Sequence, residues 1–417
     1  MIKFYPCVFN GTLRAPASAA FAHRALFAAA LAHTPTLVKN VPKSKDIDVT
    51  LDCLRTLGCR LSITDGDRMD VMVEPFQKTT PLPTADFNFY DSASTSRFAL
   101  TVCGALGIRA ACRASGTLPR RPLVDFTSRL SLRGMTFSNF SFPLKMQGRL
   151  EGGEYVCKGE INPEYICALL IGLPLLREDS FVKVEGEIRD RASVDMTLKI
   201  LDAFGIIINE EADGFDIPGQ QYFESPGEIT VENDWCLSTL WTLAGSASAA
   251  KGGRVVVTDL QPESKQGYRN TLDYFSLISQ DFDYVEVFAQ DFPNHFPYFA
   301  SIVAGKGATA TIYGVEQLKY EESDRMKLIS ECIENFGADC LLDESTNILT
   351  INRRSGFEMA DNLVIDSKGD PMIFIALALT SCVIKKPFSI EDEEGYAKCY
   401  ANFLRDFQVL GGRFEII

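Results

Sequence analysis

Histidine and tryptophan are scarce in this chain, with three of the first and two of the second in 417 residues. His23, His33 and His295 show no metal-ligand spacing, which excludes a histidine-built zinc centre. Twelve cysteines are scattered singly and no C-x-x-C occurs, so zinc ribbons and dithiol redox motifs are excluded and reduced, mostly buried thiols are expected. There is no G-x-S-x-G, no phosphate-binding P-loop and no G-x-G-x-x-G, since Gly305-Lys306-Gly307 lacks both the upstream glycine and the following hydroxyl. Serine-hydrolase and nucleotide-binding readings fall with those absences. The longest apolar runs, 98–108 and 166–176, fall short of the roughly 20 residues that span a bilayer. Basic residues are outnumbered, 41 against 55 acids for a net charge of -14, which argues against a nucleic-acid footprint and confines any anion site to a local pocket. The Ala-rich stretch 15–32 is interrupted by His23 and Arg24 with no cleavage pattern after it, so a cytoplasmic protein without a membrane partner is expected.

What is present is a soluble-globular composition, 46% apolar and 23% charged, over a length that allows two or three domains. Within it an amphipathic helix repeatedly stops at a glycine and runs into an apolar strand. The clear copies are 51–63, 198–209, 328–342 and 403–416; 126–138 is weaker, and 272–287 has lost its glycine. The helix-ending glycines are Gly58, Gly134, Gly205, Gly337 and Gly411, each placed where a positive φ lets the chain leave the helix without a Cβ clash. Repeats of about 70 residues are too long for common solenoids and indicate small α/β subdomains, six in all, grouped as two domains of three. Further strands are expected in 181–188, 254–260 and 308–315.

Five segments carry candidate chemistry. In 11–33 a strand ends at Pro16 and Ser18 is placed to cap a helix containing Arg24, which reads either as an Ala-rich core helix or as a helix start that holds an anion. In 89–102 a Ser/Thr cluster precedes Arg97 and an apolar run, either a plain cap or part of a phosphate or carboxylate cradle. Arg120 and Arg121 sit before Pro122, on a turn. Glu321, Glu322 and Arg325 stand at one helix start and Lys398 at another, where acids also serve as simple dipole complements.

Taken together and in order, these segments resemble the enolpyruvyl transferases, the 5-enolpyruvylshikimate-3-phosphate synthases in particular, over essentially the whole chain. Gly11-Thr12 and Pro16 to Arg24 match the family's G-T … P-G-S-K-S-x-S-N-R opening, Ser92 to Phe98 its S-G-S-T-L-R-F, and Ala114 to Leu123 its G-x-G-R-L-x-x-R-P-L turn. Glu232 to Trp235 is similar to E-G-D-W, Ser264 to Gly267 to S-x-Q-G, and Glu322 to Arg325 to K-E-T-D-R without its lysine. The resemblance implies an α/β protein of two domains, each three βαβαββ subdomains in an inside-out α/β barrel. Residues 1–13 with 231–417 would form one domain, 14–230 the other, and the active-site cleft would lie between them. The implied reaction moves an enolpyruvyl group from phosphoenolpyruvate to shikimate 3-phosphate in the shikimate pathway, with no metal or cofactor and in a monomer. Both substrates are small anions that need a ring of Lys and Arg.

The sequence departs from the family at chemically central positions. Ala19 and Ala20 replace the Lys and Ser of P-G-S-K-S, Thr117 replaces the first Arg of the turn, and Asn162-Pro163-Glu164 stands for Ser-Ser-Gln. Asn294 in 292–298 replaces the catalytic Asp, Glu321 the Lys of K-E-T-D-R, and Lys368-Gly369-Asp370 the family's Asp-His-Arg. By the same resemblance Glu322 is the retained catalytic residue, and Arg24, Arg97, Arg121, Arg325 and Lys398 are the retained substrate-binding cations, with Asp46 and Asp234 in matching contexts. Of these, Arg97, Arg325 and Lys398 are expected to form a residual anion site. Two readings follow: a diverged relative whose transfer activity is lost or altered, or a working transferase with relocated basic residues or a less anionic acceptor. A UDP-N-acetylglucosamine enolpyruvyl transferase is a lesser alternative, because no cysteine stands in 114–123 where that branch carries one.

Overall fold

The computed structural model of the chain describes residues 1–76, 84–268, 271, 283–321, 323–392 and 394–417. They form two compact units: a first of Met1–Pro16, Asn233–Gln261 and Gly267–Ile417, and a second, central one of Ala17–Glu232 and Pro262–Gln266. Each is α/β. The helices are α1 (Ala19–Leu31), α2 (Lys45–Thr56), α3 (Ala93–Leu106), α4 (Val124–Ser131), α5 (Pro163–Gly172) and α6 (Arg191–Ala203) in the central unit. In the first unit they are α7 (Trp235–Ala247), α8 (Phe296–Lys306), α9 (Arg325–Glu334), α10 (Pro371–Thr380) and α11 (Phe403–Val409).

The repeat read from the glycines is a repeat of sheet topology. Among the described residues five four-stranded sheets share one pairing order: a parallel pair, then two antiparallel partners. The central unit's third sheet shows it, with Gly153–Lys158 parallel to Ser180–Glu185, which is antiparallel to Gly214–Ile217, itself antiparallel to Asn209–Glu211. In every one of the five, the strand that follows the helix-ending glycine is the antiparallel edge strand: Arg60–Thr64, Met135–Phe137, Asn209–Glu211, Ala338–Asp343 and Arg413–Ile416. All five glycines have positive φ, between +72° at Gly205 and +100° at Gly58.

Two expectations need correction. After Gly205 the residues Ile206–Ile208 stay out of the sheet and the strand starts only at Asn209. In the diverged copy, residues 272–282 lie outside the described residues, and Tyr284–Phe288 pairs parallel with Thr309–Tyr313 and is not an antiparallel edge. A sixth, two-stranded sheet joins Asn10–Arg14 to Arg254–Thr258.

Burial explains the layering within each unit. Helices α1, α3 and α5, and likewise α8 and α10, are apolar nearly all round and are buried on every face, the pattern of an interior helix. Strands such as Tyr284–Phe288 alternate exposed and buried residues, so each sheet covers helices on one side and meets solvent on the other. The consequence for function is local. Interior helices start with caps that hold polar side chains deep in the unit, at the N-terminal ends where backbone N–H groups favour anions.

Candidate active site

In the central unit, Ser18 caps α1 by accepting from Phe21 N, as its sequence context predicts. Ala19 and Ala20 form the first turn and carry nothing beyond Cβ. Arg24, one turn on, is 2% exposed and faces protein: Nε donates to Thr197 Oγ1 at 2.6 Å, one terminal nitrogen to Ala20 O at 2.8 Å, the other to Cys167 Sγ at 3.4 Å. Phe98 lies 5.5 Å below its guanidinium. Arg24 ties α1 to α5 and α6.

Arg97, in the second turn of α3, is 4% exposed and bonds to the carboxylate of Glu164 in the first turn of α5. Ser94 donates to the other oxygen of the same carboxylate. The Tyr165 ring stands 5.3 Å from the guanidinium, and Arg97 Nε has no hydrogen-bond partner. Burial alone raises the Glu164 carboxyl pKa, but Arg97, the Ser94 hydroxyl and the more distant Arg24 together hold it below the ordinary carboxylate range. Ser92 makes no capping bond to α3; its hydroxyl meets Thr95, which meets Thr50, which meets His23 Nδ1, at 2.8, 2.6 and 2.7 Å. Burial brings His23 down to about 4, so the ring is neutral at pH 7.

The 114–123 turn is organised by a residue that sequence reasoning did not single out. Asp91 Oδ1 accepts from Thr117 N (3.0 Å), Thr117 Oγ1 (2.9 Å) and Leu118 N (2.8 Å). Arg121 donates to Thr117 Oγ1 through Nε at 3.2 Å and a terminal nitrogen at 2.9 Å, 4.0 Å from Asp91. Arg120 closes a single 3-10 turn, Leu118–Arg120, and Arg121 follows it in extended backbone before Pro122. Two other motifs meet directly: Glu232 accepts from Ser264 Oγ at 2.5 Å, Gln266 Nε2 at 3.1 Å and Lys199 at 2.6 Å.

In the first unit the centre is Arg325, the first residue of α9, 2% exposed. Its Nε donates to Asp370 Oδ2 at 3.0 Å, and a terminal nitrogen donates to Asn294 Oδ1 at 2.6 Å and lies 3.4 Å from Glu321. Asp370, fully buried, is also the N-cap of α10: Oδ1 accepts from Met372 N (2.9 Å) and Ile373 N (3.2 Å), while Ser323 donates to Oδ2 at 2.8 Å. The donor-only guanidinium on Oδ1 fixes the orientation of the Asn294 amide, whose Nδ2 donates to Tyr268 OH at 2.5 Å. Tyr268 packs at 4.6 Å on His295, whose ring is lowered to about 4 by burial and bonds to Cys236 O.

Lys398 is buried at the end of a 3-10 turn, Gly395–Lys398, well before α11 begins at Phe403. Asp234 caps α7 by accepting from Leu237 N at 2.8 Å. Asp46 lies in the first turn of α2. Glu322 lies outside the described residues. Among the described residues no group of His, Cys, Asp and Glu could hold a metal ion, and no helix is long and apolar enough to cross a membrane.

Each unit therefore pairs a buried arginine with an acid, Arg97 with Glu164 and Arg325 with Asp370. Sequence reading had found Arg97, Glu164, Arg325 and Asp370 separately; their pairing, and Ser94, Asp91 and Tyr268 as partners, it had missed.

Comparison with known proteins bears on this arrangement. The family model described as EPSP synthase (3-phosphoshikimate 1-carboxyvinyltransferase) matches residues 6–407. Relatives include the 3-phosphoshikimate 1-carboxyvinyltransferases of Clostridium perfringens strain 13 and of Halobacterium salinarum. Each is 28% identical, over 98% of this chain and 97% of the relative. Among solved structures, an EPSP synthase from Acinetobacter baumannii aligns with a TM-score of 0.73 at 14% identity, covering 100% of this chain and 99% of that one, a likeness of fold.

Proposed function

This chain belongs to the EPSP synthase family, and from that premise we propose that it is a 3-phosphoshikimate 1-carboxyvinyltransferase-like protein whose transfer activity on phosphoenolpyruvate and shikimate 3-phosphate is lost or strongly reduced. The family reaction joins two small anions and releases phosphate. It needs cations that remain available to the substrates and a group able to take up and return a proton.

The observation that carries the reading is the Arg325 cluster. Asp370 stands where the family has an arginine, and its carboxylate lies against Arg325 while capping α10. Asn294, at the position of the family's catalytic Asp, accepts from Arg325 and donates to Tyr268, so its amide has a fixed structural role and no proton to exchange near neutral pH. A charge-assisted hydrogen bond to an anion is worth roughly 1.5–3 kcal/mol, and each 1.4 kcal/mol is about tenfold in affinity. Losing the cationic side chains replaced at Ala19, Thr117, Glu321 and Asp370 therefore removes several powers of ten, and reversing the sign at two of them adds repulsion.

The test is phosphate release by the purified chain with phosphoenolpyruvate and shikimate 3-phosphate beside an intact family member. The expected result is a rate lower by several orders of magnitude, and turnover at a comparable rate refutes the reading. Parallel assays with unphosphorylated shikimate and with UDP-N-acetylglucosamine address an active enzyme with another acceptor. Restoring Ala19→Lys alone is expected to rescue nothing, because the deficits are distributed.

A further inference from the structure

In the central unit a cleft of about 570 Å³ lies along the outer face of α6 and shares no residue with the Arg24, Arg97 and Arg325 clusters. Asp195, Leu198, Lys199 and Asp202 line it at i, i+3, i+4 and i+7, one face of the helix. Ile206, Ile207 and Ile208 line it where the chain delays before its strand, and Lys265 adds a cation from the segment Pro262–Gln266, which packs with this unit. Most of the charge here is neutralised locally. Arg191 reaches Asp195 at 2.6 Å and Glu210 at 2.7 Å, and Lys199 reaches Glu232 at 2.6 Å. Asp202 and Lys265 remain: both are exposed, and neither has an ion-pair or side-chain hydrogen-bond partner among the described residues.

Ile207 is not free to pair with a peptide strand, since its N–H donates to Gln221 Oε1 at 2.7 Å and its C=O accepts from Gln221 Nε2 at 2.8 Å. What it offers is apolar surface, 63% exposed. A lone anion at Lys265 would face Asp202, and a lone cation at Asp202 would face Lys265, so a small ligand carrying one charge of each sign complements the cleft best. We propose that the cleft binds a free α-amino acid with an apolar side chain: its carboxylate on Lys265, its ammonium on Asp202 and its side chain on Ile206–Ile208. The proposal is independent of the lost transfer activity, because it uses none of the residues on which that reading rests.

The test is equilibrium dialysis of the full-length chain against radiolabelled L-leucine and L-phenylalanine, up to about 10 mM. Exposed charge contacts are weak, so Asp202→Asn and Lys265→Gln are each expected to lower the affinity about 3- to 5-fold, and D202N/K265Q about 10-fold. Both side chains are exposed and unpaired, so these variants keep the parent's fold. Glycine lacks the apolar side chain, leucinamide the carboxylate and 4-methylpentanoate the amine, and each is expected to compete at least about 3-fold more weakly than leucine. Leucine near saturation is also expected to slow acetylation of Lys265 by an amine-reactive ester about 3-fold, read by peptide mass spectrometry, and to leave the exposed Lys145 unchanged. No binding by about 10 mM, an affinity unchanged in D202N/K265Q, or glycine competing as well as leucine overturns the proposal.

Discussion

Removing the Asp370 carboxylate is the sharpest probe of the first unit, because that group serves three partners at once. It neutralises Arg325 at 3.0 Å, accepts from Ser323, and caps α10 through Met372 N and Ile373 N. Breaking one side of a buried ion pair costs about 3–5 kcal/mol, since the remaining charge stays buried. Glu321 at 3.4 Å and the Asn294 carbonyl still face Arg325, which places the expected cost near the lower end, about 3 kcal/mol. Loss of the cap adds about 1 kcal/mol in Asp370→Ala but not in Asp370→Asn, because Asn caps about as well as Asp. The expected order of stability is therefore parent, then D370N, then D370A, with R325M/D370N recovering part of the D370N loss. Both tryptophans, Trp235 and Trp241, lie in α7 of this same unit, so denaturant unfolding followed by tryptophan fluorescence reports on it directly. A D370A cost under about 1 kcal/mol, or single-variant effects that add within about 0.5 kcal/mol in the double, would refute the assignment of Asp370 to Arg325.

Other perturbations have equally definite outcomes. His295 titrates at about 4 when folded against an ordinary 6.5, so the unfolded chain binds the extra proton between those values. Stability of the first unit is then expected to fall as pH drops from 6.5 to about 4, by about 3 kcal/mol at most, and to level off below; His295→Gln should flatten that limb, and an unchanged limb counts against it. The depressed Glu164 carboxyl contributes stability that is present above the ordinary carboxylate range and lost as pH falls through its folded value, so E164Q should lack that acid limb in hydrogen exchange of α3 and α5. Gly134→Ala should cost about 2 kcal/mol or more, because φ is +92° and a Cβ would come within 2.3 Å of Arg149 O. Gly58→Ala, at φ +100° with its nearest neighbour at 3.6 Å, should cost about 1 kcal/mol, and equal midpoints by calorimetry would discount the clash. Nine of the twelve thiols are buried, so native labelling with a maleimide should modify Cys236, Cys340 and Cys399 first, and rapid labelling of Cys53 or Cys103 would contradict their burial.

The repeat was legible because it rests on local chemistry. A helix that must end and reverse into a strand needs a positive φ, and Gly58, Gly134, Gly205, Gly337 and Gly411 mark those joints in the bare sequence. What the pattern could not reveal is that the following strand is always the antiparallel edge of its sheet, since pairing partners lie far along the chain, as Arg413–Ile416 does from Ile2–Tyr5. The same limit explains the short delay after Gly205, where three isoleucines look like a strand but Ile207 bonds to the Gln221 side chain and strand pairing starts only at Asn209.

The site was legible by type and not by partnership. The caps Ser18 and Asp234 follow from the residues just after them, and the structure places both as expected. Arg24 reads in the sequence as a cation near a helix start, yet its three bonds reach Ala20, Cys167 and Thr197 on three helices, which no window of sequence contains.

Composition and spacing by themselves determined the class of the molecule: the α/β repeat and the helix starts; the resemblance to the family added the positions at which neutral or acidic residues stand for its cations. Only tertiary structure decided what those substitutions do, because an ion pair is a matter of distance. Glu164 lies 67 residues from Arg97 and Asp370 lies 45 from Arg325, and each is brought to its arginine by the packing of interior helix ends that sequence order leaves far apart.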